Sequence, residues 1–345
     1  MKKLLLLPLI LIFISCHKEI KKEIGFSGEN ISENVSVIRD KDTKKAIFNI
    51  NIDTSWALYA GSSVENIDLQ YPVAEGTTKG NFPINVNDTA RSYFQLITAK
   101  GNAILAEQHL PMTGGYNFRD LGGIRTTEGK YIKWGKVLRS DDLYKLTDAD
   151  LNYLASIPLA TIVDFRAQSE INDAPDRIPS SVRTDFLCSI TPGQLNSFDL
   201  VKGLTTEQMD SAMMDMNRLF VTDTIIINQY RAYFNLLQSE KDIPLMFHCS
   251  AGKDRTGMAA ALFLYSLGVD EETILNDYLL SNTYLSDKYA SLIAEYPRMK
   301  PLFVVKPEFL KAGIEQMKKD HGSIENYLTK VLNVDLERMK ELYLY

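Results

Sequence analysis

A cysteine and an arginine stand six positions apart, with a glycine between them, in His248-Cys249-Ser250-Ala251-Gly252-Lys253-Asp254-Arg255-Thr256-Gly257. That spacing lets one loop wrap a tetrahedral phosphate. Cys249, set among backbone N–H dipoles beside Arg255, would lose its proton readily and attack as a thiolate. Arg255 offers a planar fork of donors that matches two phosphate oxygens and can neutralise charge spread over the equatorial oxygens. Gly252 permits positive φ or close approach to a ligand. Thr256 is placed to hydrogen-bond the sulfur and help it leave. The binding set is Ser250, Ala251, Gly252, Lys253, Gly257 and His248, the histidine by orienting the loop through hydrogen bonds. Lys253 is either a second cation for an additional phosphate or a solvated charge that raises the local field.

Ester cleavage at such a loop needs an acid for the leaving oxygen. Asp164 ends the apolar run from Leu159 to Val163, at the strand edge where open α/β sheets place ligands. Asp254 sits inside the loop, where its charge would offset the neighbouring cations. Both remain candidates, with Asp164 preferred on position. Arg166 is expected to pair with Glu170. Asn117, Arg119 and Asp120 form a turn-rich segment that would buttress the loop. No His/Cys/Asp group has metal-ligand spacing, so neither metal nor cofactor is called for.

The elements around these residues suit the task. Leu245, Met246 and Phe247 read as a buried strand, and Met258 to Leu267 as a helix that stops at Gly268. The loop therefore joins a strand to a helix N-terminus, a ready anion site. Thr147 with Asp150 caps a helix over 148–155. Leu159 to Phe165 reads as a strand, Thr224 to Gln238 as a helix, and the chain beyond 268 as mostly helical, broken around Pro297 to Pro307. Tyr284 to Tyr296 is either a lid over the pocket or an ordinary packing helix, the second being preferred.

The string from His248 to Gly257 resembles the Cys-x5-Arg signature of the protein tyrosine phosphatase superfamily. Its Gly-Lys-Asp-Arg-Thr-Gly ending is similar to a bacterial tyrosine/dual-specificity and phosphoinositide branch. So is the segment Asn117 to Gly123, which reads Asn-Phe-Arg-Asp-Leu-Gly-Gly. Leu138-Arg139-Ser140, Val163 to Arg166 with Glu170, Pro175-Asp176, and Gly322 to Leu328 follow in the branch's order. The resemblance, from about Met112 to the end, implies a phosphomonoesterase acting through a phosphocysteine. Phosphotyrosine protein is the first substrate expectation, and phosphoinositide or inositol phosphate the second. A receptor that binds a phosphorylated ligand without turnover, and a rhodanese-like sulfur transferase, are the rival readings.

The remaining third divides in three. Lys2 and Lys3, an apolar run from Leu4 to Ile14, then Ser15 and Cys16 form a secretory signal over 1–16, with Cys16 as a lipidation site of lipoprotein type. This predicts a lipid-anchored protein of a bacterial cell envelope, or a secreted one. Residues 17–33 read as a polar tether. Residues 34–111 show short alternating runs separated by turn residues, which predicts an all-β sandwich of fibronectin-III or immunoglobulin type, with Trp56 and tyrosines in its core. A spacer or docking role is expected of it. Residues 112–345 are then the α/β domain, a central sheet flanked by helices with a helical C-terminal part. Cys188 reads as a core thiol. The chain has 45% hydrophobic and 24% charged residues and a net charge of −6. That balance suits a soluble core and argues against nucleic acid.

Overall fold

A computed structural model of the protein describes residues 23–191 and 203–345. The signal over 1–16 and Cys16 lie outside the described residues.

The N-terminal part holds eight strands: β1 (Ser27–Gly28), β2 (Val35–Arg39), β3 (Ala46–Ile50), β4 (Trp56–Gly61), β5 (Ala74–Gly76), β6 (Gly80–Ile84), β7 (Tyr93–Thr98) and β8 (Gly101–Leu105). They form two antiparallel sheets, in the orders β1-β8-β7-β4-β5 and β2-β3-β6. Side chains of both sheets meet in one core, Val37, Phe48 and Ile50 against Trp56, Leu58, Phe94 and Leu96. β2 alternates buried and exposed positions, as a strand with one wet face must. β4 was not legible as a strand, because Ala57 and Ala60 blur the alternation. The tether expected over 17–33 ends earlier than its polar composition suggested. β1 pairs with β8, Ile31 is buried, and Phe26 stacks on Tyr131 with ring centroids 3.9 Å apart.

The second part is built on a five-stranded sheet in the order β12-β11-β13-β10-β9. Its strands are β9 (Arg119–Asp120), β10 (Val137–Ser140), β11 (Thr161–Asp164), β12 (Thr184–Leu187) and β13 (Leu245–His248), parallel except for β9. In register, Ser140 and Asp164 both lie opposite His248. Three strands thus end level, and their C-terminal edge is where the chain leaves for its loops.

The helices that matter below are α1 (Asp148–Ala155), α2 (Gln168–Asp173), α3 (Thr206–Thr222), α4 (Thr224–Leu237), α5 (Arg255–Ser266), α6 (Glu271–Tyr284), α7 (Ser286–Glu295) and α8 (Pro307–His321). α5 is buried along almost its whole length, which its Ala- and Leu-rich sequence allows at the centre of the main core. The Thr147 capping box on α1 forms, and Asp150 also accepts the N–H groups of Thr113 and Gly114.

The N-terminal sheets share buried contacts with the second part. Arg91 donates across the boundary to Asp120 at 2.8 Å and lies 3.6 Å from Glu107, which Arg39 also binds, all four side chains fully buried. Trp134 of the second part packs against Tyr59, Tyr93 and Ile104 of the first and donates to the Ile104 carbonyl. Buried charges must be paired within the fold, so these contacts make the two parts one structural unit.

Candidate active site

β13 delivers the chain to Cys249, the loop turns through Cys249–Asp254, and α5 starts at Arg255. Gly252 sits at φ +65°, and a Cβ there would stand 2.3 Å from the Ser140 carbonyl oxygen. Only glycine lets the loop fold back against the end of β10. Cys249, 2% exposed, lies on a cavity of about 210 Å³. Burial pushes its thiol up, yet the Arg255 charge, the Thr256 hydroxyl and the Thr256 N–H together hold it below the ordinary thiol range. The Thr256 hydroxyl has no hydrogen bond of full geometry elsewhere, so it is free for the sulfur.

Arg255 is aimed by a residue the sequence reading gave to another partner. It donates from Nη1 to Glu170 Oε2 and from Nη2 to Glu170 Oε1, each at 2.7 Å. The Ser250 hydroxyl donates to the same Glu170 carboxylate. Burial raises the Glu170 carboxyl, but these hydrogen bonds and the Arg255 charge bring it down to about 2. The expected Arg166–Glu170 pair is therefore absent. Glu170, at the start of α2, faces the loop instead, as helix phase and not sequence distance decides.

Arg166 pairs with Asp164 at 2.8 Å and Asp176 at 2.6 Å. Its backbone N–H and Nε also donate to Asp164. His248 Nε2 lies 3.2 Å from Asp176 and 3.8 Å from Asp164. Burial lowers the imidazole, but the hydrogen bond and charge of Asp176, with the Asp164 charge, raise it above the ordinary range. Asp164, Asp176 and His248 are close enough to share an ion. The Arg166 guanidinium already sits on both carboxylates, so the group is a closed ionic cluster. Asp164 does not line the cavity, whereas Asp254 does. Position on the strand edge suggested the first, whose carboxylate is held by Arg166 in the fold.

Within the loop, Lys253 is 3% exposed and its Nζ lies 2.6 Å from Asp254 Oδ2, a buried pair in place of the solvated alternative. Asp254 Oδ1 is buried and has no hydrogen-bond partner.

The loop is braced from behind. Asn117 donates to the carbonyls of Ala251 and Gly252, both at 3.0 Å, and Arg139 donates to Gly252 at 2.8 Å. Asp277 of α6 binds Arg119 at 3.1 Å and Arg139 at 2.6 Å. Burial raises the Asp277 carboxyl, and the two guanidinium groups outweigh it and lower it. Asn117 and Arg119 thus support the loop as expected. Asp120 does not: it turns to Arg91 of the sandwich and to the N–H groups of Gly122 and Gly135. Neighbouring strand residues point to opposite faces, so Arg119 and Asp120 could not both reach the loop. Asp277 and Arg139 as clamp members had no signal beyond their place near the motifs.

The cavity walls are apolar. Met213, Met216 and Phe220 come from α3, Leu302 and Phe303 from the turn before α8, and Tyr289 from α7. Lys288 of α7 binds Asp141 at 2.8 Å and Asp142 at 3.2 Å, and reaches the Ser250 carbonyl. The helix expected between Tyr284 and Tyr296 thus forms part of the cavity wall and is tied to the loop. Cys188 is buried, with its thiol pushed up to about 12 by desolvation, as a core thiol.

Residues 110–345 match the tyrosine phosphatase family. A Cupriavidus necator protein named a tyrosine-protein phosphatase is 32% identical over 242 residues, which cover 66% of this chain and 85% of that one. The triple specificity protein phosphatase PtpB of Mycobacterium tuberculosis is 26% identical over 268 residues, 65% of this chain and 93% of its own. Among solved structures, P. aeruginosa TpbA aligns at 12% identity over 61% of this chain and 88% of that one, with a TM-score of 0.23, too low to support an argument.

Proposed function

The chain belongs to the tyrosine phosphatase family, and from that premise we propose that it hydrolyses aryl phosphate monoesters, phosphotyrosine first, through a phosphocysteine on Cys249. One observation carries the reading: a thiol held below its ordinary range beside Arg255, at an apolar cavity. The sulfur attacks phosphorus as the ester P–O bond breaks. Arg255 and the loop N–H groups hold the equatorial oxygens. The leaving oxygen takes a proton from Asp254, whose Oδ1 is unpartnered beside the loop. The acid role, first given to Asp164, passes to Asp254 in this reading, because Arg166 holds both Asp164 oxygens, whereas Asp254, paired with Lys253 through Oδ2 alone, keeps Oδ1 free at the cavity. Water then attacks the phosphocysteine, Asp254 takes its proton, and the thiolate leaves inorganic phosphate.

The walls favour an aromatic ring over an inositol. A polyanionic headgroup would need free cations, but Lys253 is paired with Asp254 and Lys288 with Asp141 and Asp142. Phosphoinositide is the second reading, and it requires Lys253 to leave Asp254 for the additional phosphate. The strand orders β2-β3-β6 and β8-β7-β4-β5 suit a fibronectin-III-like assignment of the N-terminal part. Export with lipidation at Cys16 rests on residues 2–16 alone. Loss of radiolabelled palmitate in Cys16→Ser would support it, and equal labelling would remove it.

The test of the chemistry is hydrolysis of p-nitrophenyl phosphate and a phosphotyrosine peptide by the reduced full chain in EDTA, beside Cys249→Ser. Vanadate-sensitive turnover lost in the mutant is expected. A folded, reduced wild type that binds tungstate without turnover would overturn the mechanism in favour of a receptor.

A further inference from the structure

A second and larger cavity, about 380 Å³, opens between the sandwich and the phosphatase part. Cys249 does not line it. Folded interiors rarely leave voids much larger than a water, whose share of volume is about 30 Å³. A space of this size at a domain boundary falls in the range of small-molecule sites.

Its wall is mainly apolar, with Val37 from β2, Ile104 and Leu105 from β8, and Ile124 and Trp134 from the phosphatase part, while Ser36 and Gln108 are polar at its rim. Arg39 also borders it, its side chain buried, with Nε on Glu107 and Nη1 on the carbonyls of Lys44 and Asn87, while Nη2 has no partner among the described residues. No acidic residue lines the cavity among the described residues. His109 supplies a polar group. Its Nε2 lies 2.8 Å from the Tyr116 carbonyl, which makes Nε2 the protonated nitrogen. Burial lowers the imidazole, so the ring is neutral near pH 7 and Nδ1 is an acceptor, with no hydrogen-bond donor among the described residues.

His109 is also stacked on Tyr284, ring centroids 4.0 Å apart, and Tyr284 lines the same cavity. Arg119 lies over the Tyr284 ring at 5.5 Å and holds Asp277, which holds Arg139, which holds the Gly252 carbonyl. Tyr284 ends α6, and α7, which carries Tyr289 and Lys288, starts two residues later.

The geometry points to the interdomain cavity as a binding site for an uncharged aromatic molecule with one hydrogen-bond donor, coupled to the phosphate loop through Tyr284 and Arg119. The donor meets His109 Nδ1 and the ring meets the apolar wall. Coupling of this kind is reciprocal: an occupant that alters the Tyr284 stack changes phosphate affinity, and phosphate changes the occupant's affinity by the same factor. The coupling to turnover rests on the phosphatase reading, while the binding does not.

The probe is 2-naphthol, titrated into the full chain by calorimetry, with 2-methoxynaphthalene as the donor-free control. Saturable one-to-one binding is expected, about fivefold weaker for the methoxy compound. It should persist in Cys249→Ser, and tungstate should shift its affinity at least twofold without displacing it. Gln108→Trp and Ser36→Trp, which fill the cavity from its rim, should each weaken it at least tenfold while circular dichroism and tungstate binding stay unchanged. With active wild type, 2-naphthol should change kcat for p-nitrophenyl phosphate at least twofold. Absence of saturable binding, competitive displacement by tungstate, or equal binding by both Trp variants would each overturn the site. Binding without any effect on tungstate affinity or kcat would overturn the coupling. A chain inactive toward every ester would sink the phosphatase reading and leave the calorimetry to judge the site.

Discussion

Glu170 holds Arg255 by two parallel hydrogen bonds of 2.7 Å, a fork-to-fork grip that fixes the guanidinium before any substrate arrives. Such preorganisation matters most where charge develops in the transition state. Glu170→Ala should lower kcat by about 10- to 100-fold with a smaller change in KM, in line with the cost of small misplacements. Steady-state kinetics on p-nitrophenyl phosphate check this; an unchanged kcat would show that Arg255 needs no guide.

The two aspartates separate by leaving group. Asp254→Asn should lower kcat on the order of 10²- to 10⁴-fold for phenyl phosphate, whose leaving group needs a proton, and much less for p-nitrophenyl phosphate. Asp164→Asn should cost stability instead, because Arg166 and His248 lose part of their compensation, with both esters affected alike. A larger leaving-group dependence in Asp164→Asn would restore the first assignment.

His248 gives a pH dependence with a definite sign. Its folded value is raised: burial opposes the charged ring, and Asp176 and Asp164 overcome that. The stabilisation is fully present below the unfolded value of ~6.5 and is lost as pH rises through the raised folded value. Melting temperature should therefore fall across that interval in the wild type and much less in His248→Gln. Equal slopes in thermal scans at pH 6 to 9 would show that the imidazole is neutral in the fold.

Arg91 ties the sandwich to the catalytic part through Asp120. Arg91→Met should destabilise by about 3–5 kcal/mol, since it leaves a buried carboxylate without its cation. Adding Asp120→Asn should recover part of the loss. A chain trimmed to residues 112–345 should lose cooperative urea unfolding, whereas an independently folding fragment would restore the spacer reading.

Much of the site was legible because it is local. Ten consecutive residues carry the nucleophile, the arginine and the glycine turn, and the flanking apolar runs fix the strand and helix that present them. Asn117 and Arg119 were readable as a motif. Their role as a brace was an expectation from the turn-rich segment, and the fold supplies the contacts: Asn117 donates to the loop carbonyls and Arg119 to Asp277.

What the sequence determined by itself was the chemistry that short spacing enforces: a thiol in a phosphate loop at a helix N-terminus, in an α/β domain after a β-rich one. Which distant charges meet was settled by the folded chain. Glu170 went to Arg255 and not to Arg166, Asp120 to Arg91 and not to the loop, and Lys253 to Asp254 and not to solvent. Pairings of buried charges follow from which faces of helices and strands are brought together, and desolvation makes each unpaired charge costly. That choice is made by the fold as a whole, so linear order could name the partners' types without naming the pairs.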